Sequence, residues 1–327
     1  MSATLQSEVR PRRRIGASMH RTELVLAVVA VIGFVVLAAT TQGNILQPGT
    51  LRAVLQFLAV PIVIGLAQMM VLAVGQLNLS VGVLTGLCAM VTASLMVDIG
   101  VSPWVALPAG LATGALVGLI NGVLVVLTRI NGFIVTLATM SVVAGLRFGI
   151  NGTGTYQRYS PGLVSLGRAD LLGLPVVFLA AVATAVAVWV FFARSVAGRM
   201  LLASGGNPFA ARLSGISNDR STVVAHTLSG LLAGVAGLIV VALSGSVNAS
   251  IGDDLLLPSF AAPIIGGVLL TGGVVSVLGT CLAAFIVRLV DVAQAQYGIN
   301  PRWVDLVIGA VVLGAVLVSQ RRGRGSS

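Results

Sequence analysis

The stretch that decides the fold is RSVAGRMLLASGGNPFAARLSGISNDR, residues 194–220, the longest polar interruption in an otherwise strongly apolar chain. Its GGNP run at 205–208 predicts a turn, with Asn207 capping a helix that begins at Pro208. The residues up to Leu213 are enough for about two helical turns, and Ser214-Gly215 end the helix. A capped helix with a defined end is typical of an element that docks on a partner. An ordinary structured loop is the alternative.

The composition indicates a membrane protein. Only 9% of the 327 residues are charged, 57% are hydrophobic, and the mean hydropathy is +1.05. Soluble domains carry about 25% charged residues, so we predict an all-α polytopic protein embedded in a lipid bilayer. The 40 glycines are typical of helices that pack closely in lipid.

Every one of the nineteen basic residues is arginine, which limits the chemistry of the chain. A Walker-type phosphate-binding loop needs a lysine, so we predict no ATP hydrolysis by that route. Cys88 and Cys281 lie in apolar runs, and the two histidines stand far apart, so no spacing suits a metal. With no catalytic constellation either, we predict no enzyme and no cofactor in this chain. The net charge of +10 is assigned to arginines beside membrane spans rather than to nucleic-acid binding.

Apolar runs of about 20 residues predict about ten transmembrane helices, some of them short or broken. They are placed at 24–42, 54–74, 80–97, 104–127, 132–150, 174–193, 222–243, 258–270, 274–295 and 303–319. A basic tail at 1–23 precedes the transmembrane domain at 24–319, and a second tail follows at 320–327. The first run is interpreted as a retained anchor because it is long, with a cleaved signal peptide as the alternative.

The arginines orient this arrangement. With the N-terminus inside, the inner segments hold thirteen arginines and the outer segments five. The positive-inside rule then predicts that both termini and the 194–220 loop are cytoplasmic. Two long polar stretches, 151–173 and 244–257, are left outside, either as an ordered surface for a partner or gate or as plain loops. Asp253 and Asp254 are expected to be solvated there.

Two glycine-rich interruptions, 75–82 and 266–273, predict a broken helix in each half of the chain. Such pairs point to a transport path, although glycine and serine also simply allow close packing. Thr136 and Thr139 share a helix face and can line the path, with bonding to the helix backbone as the alternative. The predicted path residues are Asn78, Ser80, Thr136, Thr139, Gly272, Gly273 and Ser276.

Arg288 is the one arginine placed within a span, roughly 21 Å across a core of about 30 Å. An arginine at that depth is costly unless it is paired. Asp291 lies three residues on, and Asp305 lies early in the next predicted span. We predict that Arg288 faces the protein interior and pairs with one of them. Snorkelling to the outer headgroups is the alternative.

Four motifs, in order, resemble those of the permease subunit of ribose/xylose-type sugar ABC importers, a family that also has relatives for galactosides and autoinducer-2. They are GQLNLSVG at 75–82, NG with FIVTLATM between 121 and 140, GGNPFAARLSGI at 205–216, and GG, LTGG, SV and GT between 266 and 280. The resemblance covers roughly residues 50–320. Gln76 and Asn78 depart from it, since the family usually has glycine and aspartate there. A substrate preference is therefore not carried over.

The resemblance implies a homodimeric channel that moves a monosaccharide into the cytoplasm by alternating access. Two ATP-binding subunits would bind ATP beneath it, and a periplasmic or lipid-anchored sugar-binding protein would deliver the cargo, in the bacterial inner membrane. The capped helix would then be the coupling element in the ATPase. Its predicted residues are Asn207, Pro208, Ala210, Ala211, Arg212, Leu213, Ser214 and Gly215.

Other functions stay open at this point. The same class of importer could carry autoinducer-2, a nucleoside or an amino acid. An ion-coupled secondary transporter usually needs acids or histidines within its spans, and here only Asp291 and Asp305 are candidates, both near outer ends. A purely structural membrane subunit is disfavoured by the paired broken segments.

Overall fold

A computed structural model describes residues 15–157 and 159–298, together with residues 300, 303, 306, 309, 310 and 314. The first part of the predicted N-terminal tail and the predicted tail at 320–327 lie outside the described residues. So does most of the predicted tenth span, including Asp305.

The described chain is built almost entirely from α-helices. They are α1 Ile15–Thr40, α2 Pro48–Leu72, α3 Val81–Val97, α4 Pro103–Thr128, α5 Gly132–Asn151, α6 Pro161–Gly167, α7 Val176–Arg194, α8 Val196–Gly206, α9 Pro208–Leu213, α10 Asn218–Ser244, α11 Leu256–Ile265 and α12 Val277–Tyr297. Four short strands are β1 Thr155–Gln157, β2 Asp170–Leu171, β3 Leu174–Pro175 and β4 Ser246–Asn248. Two 3-10 turns lie at Asn44–Leu46 and Asp253–Leu255.

Seven of the described helices are long and apolar enough to cross a membrane, namely α1, α2, α4, α5, α7, α10 and α12. The prediction of an all-α polytopic membrane protein is therefore confirmed, while the count of about ten spans stays a prediction. α3, at the predicted third span, is a shorter apolar helix of 17 residues. The predicted eighth span, 258–270, is not a continuous helix. α11 has 10 residues and ends at Ile265, and Gly267 then takes a φ of +88°, a backbone conformation that favours glycine.

The helix bundle has two ends, which we name by the short helix α9. At the α9 end, α2 finishes and α10 and α12 begin. Arg129, after α4, pairs there with Asp219 in the first turn of α10, at 2.7 and 3.0 Å. Ser276, before α12, donates a hydrogen bond of 2.7 Å to Glu23 of α1. The opposite end, where α2 begins and α10 and α12 finish, is the far end.

The central contact of the fold is between α4 and α10, and it depends on glycine. Four glycines spaced four residues apart on α4 form a buried stripe: Gly110, Gly114, Gly118 and Gly122. A Cβ added to Gly114 would come within 3.0 Å of the Gly230 carbonyl, and one on Gly118 within 3.0 Å of the His226 carbonyl. The two backbones are thus in direct contact, as small residues permit between membrane helices.

At the far end, the two long polar stretches at 151–173 and 244–257 are hydrogen-bonded to each other. β1 and β4 form an antiparallel pair with Tyr156 opposite Val247. The Tyr156 hydroxyl donates to Asp98, and the Tyr159 hydroxyl donates to the Val241 carbonyl at 2.8 Å. Burial raises the pKa of both hydroxyls, that of Tyr159 to about 12, so both remain donors at neutral pH.

Candidate coupling and translocation sites

The helix α9 forms where the sequence predicts it, and its cap and end are confirmed. The Asn207 side chain accepts a hydrogen bond of 3.0 Å from the Ala210 backbone N–H, and Pro208 occupies the first helical turn. Gly215 ends the segment with a φ of +78°. The predicted turn at 205–208 is wrong in part. Gly205 and Gly206 are the last residues of α8, and only Asn207 is extended.

One amide ties α9 to both of its neighbours. The Asn218 side chain donates to the Pro208 carbonyl at 2.9 Å and accepts from the Ser204 hydroxyl at 2.9 Å. Asn218 is the first residue of α10, and Ser204 is in the last turn of α8. Because all three helices are joined here, α9 has a fixed position at the end of the bundle.

The outward surface of α9 differs from the one that the sequence predicts. Ala211, one of the predicted coupling residues, is only 3% exposed and packs within its own chain. Phe209 and Leu213 are 68% and 76% exposed. They lie four residues apart on one face of the helix. The sequence analysis passed over Phe209, although a phenylalanine four residues before a leucine in a polar loop is a detectable signal.

The C-terminal end of α8 touches both broken segments of the chain. Ala73, just after α2, accepts a backbone hydrogen bond of 2.9 Å from Gly273. A Cβ added to Gly205 would lie within 3.0 Å of the Ala73 carbonyl and 2.7 Å from the Gly273 N–H. Backbone therefore contacts backbone at this point with no space for a side chain.

Further glycines complete this contact. A Cβ on Gly272 would lie 2.7 Å from the Gly75 nitrogen, and one on Gly273 would come within 3.0 Å of the Gly206 Cα. Gly75, Gly272 and Gly273 all have positive φ angles. We call this cluster the glycine junction; its members are Gly75, Gly205, Gly206, Gly272 and Gly273. The two glycine-rich interruptions of the sequence, 75–82 and 266–273, are thus brought together at the C-terminal end of α8. Asn207, which caps α9, is the next residue after α8.

Several of the predicted path residues form a buried hydrogen-bond network between α3, α4, α5 and α10. The Asn78 side chain accepts from the Ser80 N–H at 3.0 Å and donates to the Ser229 hydroxyl at 3.1 Å. Asn121 donates to the Ser80 hydroxyl at 3.2 Å and accepts from the Thr139 hydroxyl at 2.6 Å. These bonds hold the break after α2 against three helices. The sequence analysis did not select Asn121 or Ser229.

Thr136 and Ser276 also have structural bonds. Thr136 donates to the Gly132 carbonyl at 2.7 Å and accepts from the Leu79 N–H at 3.0 Å. Ser276 caps α12 by accepting from the Gly279 N–H at 2.8 Å. Asn78, Ser80 and Thr136 are 0% exposed in the described chain. Their contact with a translocation path stays a prediction.

A cavity of about 430 Å³ opens between α2, α10, α11 and α12 near the far end. We call it the far-end cavity, and its polar lining residues are Ser244, Asp254, Arg288, Asp291 and Gln294. Arg288 lies 3.6 Å from the Asp291 carboxylate, and its guanidinium carbon lies 5.1 Å from the centre of the Phe57 ring. Asp305, the other predicted partner of Arg288, lies outside the described residues.

Residues 50–316 match the model of a family described as the branched-chain amino acid transport system / permease component. The chain belongs to this permease family. It is 31% identical to the ribose import permease protein of Escherichia coli K12, over 90% of this chain and 93% of that protein. It is 31% identical to the fructose import permease protein of Rhizobium meliloti, over 90% of this chain and 84% of that protein. No solved structure matches it.

The family and the long apolar helices make this permease a multi-pass protein of the bacterial inner membrane. The structure shows the contacts of Gln76 and Asn78, the two positions named above as departing from the resembled motif. The Gln76 side chain accepts from the Gly132 N–H at 3.1 Å, where α5 begins. Asn78 lies in the buried network described above. Both departures therefore act on the packing of the helix break.

We expect Asn78→Asp to leave the permease folded and active. A carboxylate keeps the bond from the Ser80 N–H, and the Ser229 hydroxyl can rotate to donate to it. Asn78→Leu should instead lower stability by about 1–3 kcal/mol, because it leaves buried polar groups without partners. Thermal unfolding in detergent compares the two variants. Loss of folding in Asn78→Asp alone would contradict the expectation.

Proposed function

We propose that this permease forms the channel of an ATP-binding-cassette importer that moves a monosaccharide of the ribose or xylose kind into the cytoplasm. Two copies of the chain would form the channel. Two ATP-binding subunits would dock on α9, and a periplasmic or lipid-anchored sugar-binding protein would deliver the cargo at the far end. The ribose and fructose import permeases among its relatives support a sugar as cargo.

The glycine junction is the observation that carries this proposal. A channel driven by a separate ATPase needs a rigid connection from the docking surface to the segments that move. Gly205 lies one turn before α9 and touches both broken segments through backbone atoms. A displacement of α9 therefore cannot leave Ala73 and Gly273 where they are, because close-packed interiors transmit strain.

The distribution of charge supports a cytoplasmic position for α9. The described arginines at the α9 end are Arg21, Arg129, Arg194, Arg199, Arg212 and Arg220. The far end carries most of the described acids, namely Asp98, Asp170, Asp253, Asp254 and Asp291. The far end holds the four other described arginines, Arg52, Arg147, Arg168 and Arg288. The excess of arginine at the α9 end supports the orientation of the positive-inside rule, with the far end facing the periplasm.

Reconstitution with an ATPase tests the proposal. The purified permease alone should show no ATP hydrolysis above background, because it has no lysine for a phosphate-binding loop. Together with a candidate ATP-binding subunit and a candidate sugar-binding protein, it should take up D-ribose, D-xylose or D-fructose into proteoliposomes. Uptake should occur only when ATP is present on the side of the membrane that holds the ATP-binding subunits. Vanadate-sensitive hydrolysis by the isolated chain, or uptake without ATP, would overturn it.

One relative suggests a second candidate cargo. The permease is 28% identical, over 81% of its length, to the autoinducer 2 import system permease protein of Photorhabdus laumondii. The same proteoliposomes, given autoinducer 2, distinguish this cargo from a pentose or hexose. Accumulation of autoinducer 2 alone would change the substrate class and keep the importer mechanism.

The exposed pair on α9 gives a test of docking. We expect Phe209→Ser and Leu213→Ser each to lower uptake at least tenfold while expression and insertion stay normal, because both remove apolar area from the proposed ATPase contact. Arg212→Glu should act in the same direction. Leu172→Ser at the far end is the matched control, since Leu172 is 96% exposed. Normal uptake by both α9 variants would remove the case for docking at α9.

A further inference from the structure

We propose that the far-end cavity binds the headgroup of a zwitterionic phospholipid that carries a primary amine, such as phosphatidylethanolamine. The lipid phosphate would bind Arg288, and the ammonium would bind the carboxylates of Asp291 and Asp254. Such a site belongs to the surface that each chain presents to the bilayer. It leaves the channel between two copies of the chain as proposed above, and it depends neither on the cargo nor on the ATP-binding subunits.

The guanidinium of Arg288 is incompletely bonded. Arg288 lies nine residues before the end of α12 at Tyr297, about 14 Å below the far end of the helix, where an arginine is costly unless it has partners. Its Nε is buried without a hydrogen-bond partner among the described residues, and its Nη1 lies 3.6 Å from the Asp291 carboxylate, longer than a normal hydrogen bond. A guanidinium can bind a phosphate through two N–H groups at once, so a phosphate would supply the missing acceptors.

The charges that line the cavity suit a zwitterion better than a simple anion or cation. The carboxylates of Asp254 and Asp291 share the cavity with the one guanidinium of Arg288. The carboxylates repel an anion, and the guanidinium repels a cation. A phosphoethanolamine headgroup brings one charge of each sign, with three ammonium N–H donors for the carboxylates and a phosphate for the guanidinium. Ser244 and Gln294 add neutral hydrogen-bonding groups.

The order of these groups along α12 matches the orientation of a lipid in the outer leaflet. In such a lipid the acyl chains lie deepest, the phosphate lies above them, and the ammonium is outermost. Arg288 lies deepest, and Asp291 and Gln294 follow toward the far end at steps of three residues on one helix face. Asp254 is exposed at the rim. The phosphate-binding group is therefore below the ammonium-binding groups, as the lipid requires.

Phe57 shows on which side the cavity opens. Its ring centre lies 5.1 Å from the guanidinium carbon of Arg288, and its side chain is 56% exposed. α2 is otherwise the most enclosed of the seven candidate spans, with 78% of its most apolar 18 residues buried. An exposed aromatic ring within the apolar part of a membrane helix contacts acyl chains, so the cavity opens toward lipid. Its apolar walls can hold the first carbons of those chains, and they include Val60, Pro61, Val240, Leu243 and Val287.

Below the cavity, α2 packs directly on its neighbours. A Cβ added to Gly65 would lie 2.9 Å from the Cβ of Ala262 and 3.1 Å from a methyl of Thr280. Gly65 follows Pro61 by one helical turn, about 6 Å. The cavity is therefore a pocket in the side of the chain and not part of a passage through it. Its volume of about 430 Å³ is within the range of about 300–1,000 Å³ that small-molecule sites occupy.

Lipid binding to the purified, delipidated permease tests the site. Native mass spectrometry in detergent compares phosphatidylethanolamine, phosphatidylcholine and phosphatidylglycerol with identical acyl chains. We expect phosphatidylethanolamine to bind at least tenfold more tightly than either of the others. Phosphatidylcholine has no N–H donor for the carboxylates, and phosphatidylglycerol carries a net negative charge. Soluble glycerophosphoethanolamine should also bind at least tenfold more weakly, because it has no acyl chains to bury against the apolar walls.

Two variants distinguish a ligand site from a structural ion pair. Arg288→Gln should lower the affinity for phosphatidylethanolamine at least tenfold. Asp291→Asn should bring the affinities for phosphatidylethanolamine and phosphatidylglycerol within about threefold of each other, because it removes a partner of the ammonium and a source of repulsion for the anion. A loss of stability alone would not change which lipid is preferred. Arg52→Gln and Asp170→Asn are the matched controls, since Arg52 and Asp170 form an ion pair of 3.1 Å at the far end outside the cavity. Both controls should bind lipid as the wild type does.

Equal affinity of the wild type for the three lipids, or wild-type affinity of a folded Arg288→Gln variant for phosphatidylethanolamine, would overturn the proposal. So would glycerophosphoethanolamine binding as tightly as the lipid, since the ligand would then be a soluble zwitterion. Thermal unfolding checks that each variant is folded. If Arg288→Gln does not fold, the lipid preference of Asp291→Asn decides, and an unchanged preference would sink the proposal. No cargo, ATP or partner subunit enters these measurements, so a failure of the importer proposal would leave their outcome unaffected.

Discussion

Gly205→Ala should abolish sugar uptake while the permease still inserts in the membrane. The added methyl would lie within 3.0 Å of the Ala73 carbonyl and 2.7 Å from the Gly273 nitrogen. Neither atom belongs to a flexible side chain, so the backbone must shift. The shift separates α8 from both broken segments, and we expect at least a hundredfold loss of ATP-driven uptake in proteoliposomes.

Gly206→Ala is the matched control, because it makes the same change one residue on in the same helix. Its Cβ would lie 3.6 Å from the Gly273 Cα, which is ordinary van der Waals contact. We expect uptake within about twofold of wild type. Folding is checked by size-exclusion elution and thermal unfolding of both variants. Equal uptake by Gly205→Ala and Gly206→Ala would show that the glycine junction does not couple α9 to the broken segments.

The difference between these two glycines shows how far the sequence leads. The cap and end of α9 were predictable because Asn207 and Gly215 act on backbone groups within three or four residues. The glycine pair at 205–206 was assigned to a turn, the commonest local role of such a pair. Glycine is needed at 205 because Ala73 and Gly273, which are distant in the sequence, approach its backbone too closely for a side chain. No local pattern reports such a contact.

The same limit applies to the direction of side chains. The cap and the defined end of α9 predict a docking element, and docking itself stays a prediction. Which face of α9 is outward depends on the packing of α8 and α10, which the local sequence does not give. The predicted coupling residues therefore include Ala211, which is buried, and omit Phe209, which is exposed. The pairing of β1 with β4 joins residues about 90 positions apart, and each strand alone is a polar segment without a strand pattern.

The glycine stripe on α4 was available to sequence reasoning. Its repeat of one glycine in four, from Gly110 to Gly122, is the signal of a close helix contact in a membrane. The repeat does not identify which helix packs against α4. The choice of α10 depends on Gly230 and Gly234, which continue the same spacing more than a hundred residues later.

Arg147 is the clearest case of a site set by distant residues. The sequence places it among the outer arginines and leaves Asp253 solvated. In the structure Arg147 is 1% exposed. Its guanidinium donates to the Ile251 carbonyl and to the Asp253 carboxylate, both at 2.5 Å. The expectation of a solvated Asp253 is thus wrong in part, since its carboxylate forms an ion pair while its side chain stays half exposed.

This ion pair fixes the segment that leads into α11. A Cβ on Gly86 of α3 would come within 3.0 Å of the Ile251 carbonyl and 2.7 Å from Arg147. The backbone at Ile251 and Gly252 is therefore held between α3 and Arg147. Because the next residues form the rim of the far-end cavity, we expect the pair to stabilise the fold and to hold the entrance of the cavity in place.

We expect Asp253→Asn to lower the stability of the permease by roughly 2 kcal/mol, the usual contribution of a hydrogen bond to a charged group. Arg147 then keeps its buried charge with only neutral acceptors, the Ile251 carbonyl and the amide oxygen that replaces the carboxylate. The half-exposed position of Asp253 keeps the loss below that of a fully buried pair, because water screens the exposed partner. Thermal unfolding in detergent, with Asp254→Asn as the neighbouring control, measures the effect.

A double-mutant cycle separates an unpaired buried charge from a simple loss of packing. If the charge is the cause, Arg147→Met combined with Asp253→Asn should be more stable than Asp253→Asn alone, because methionine fills much of the space without a charge. If packing is the cause, the two losses should add. Uptake by the double variant then shows whether the entrance needs the ion pair itself or only a filled space beside Ile251.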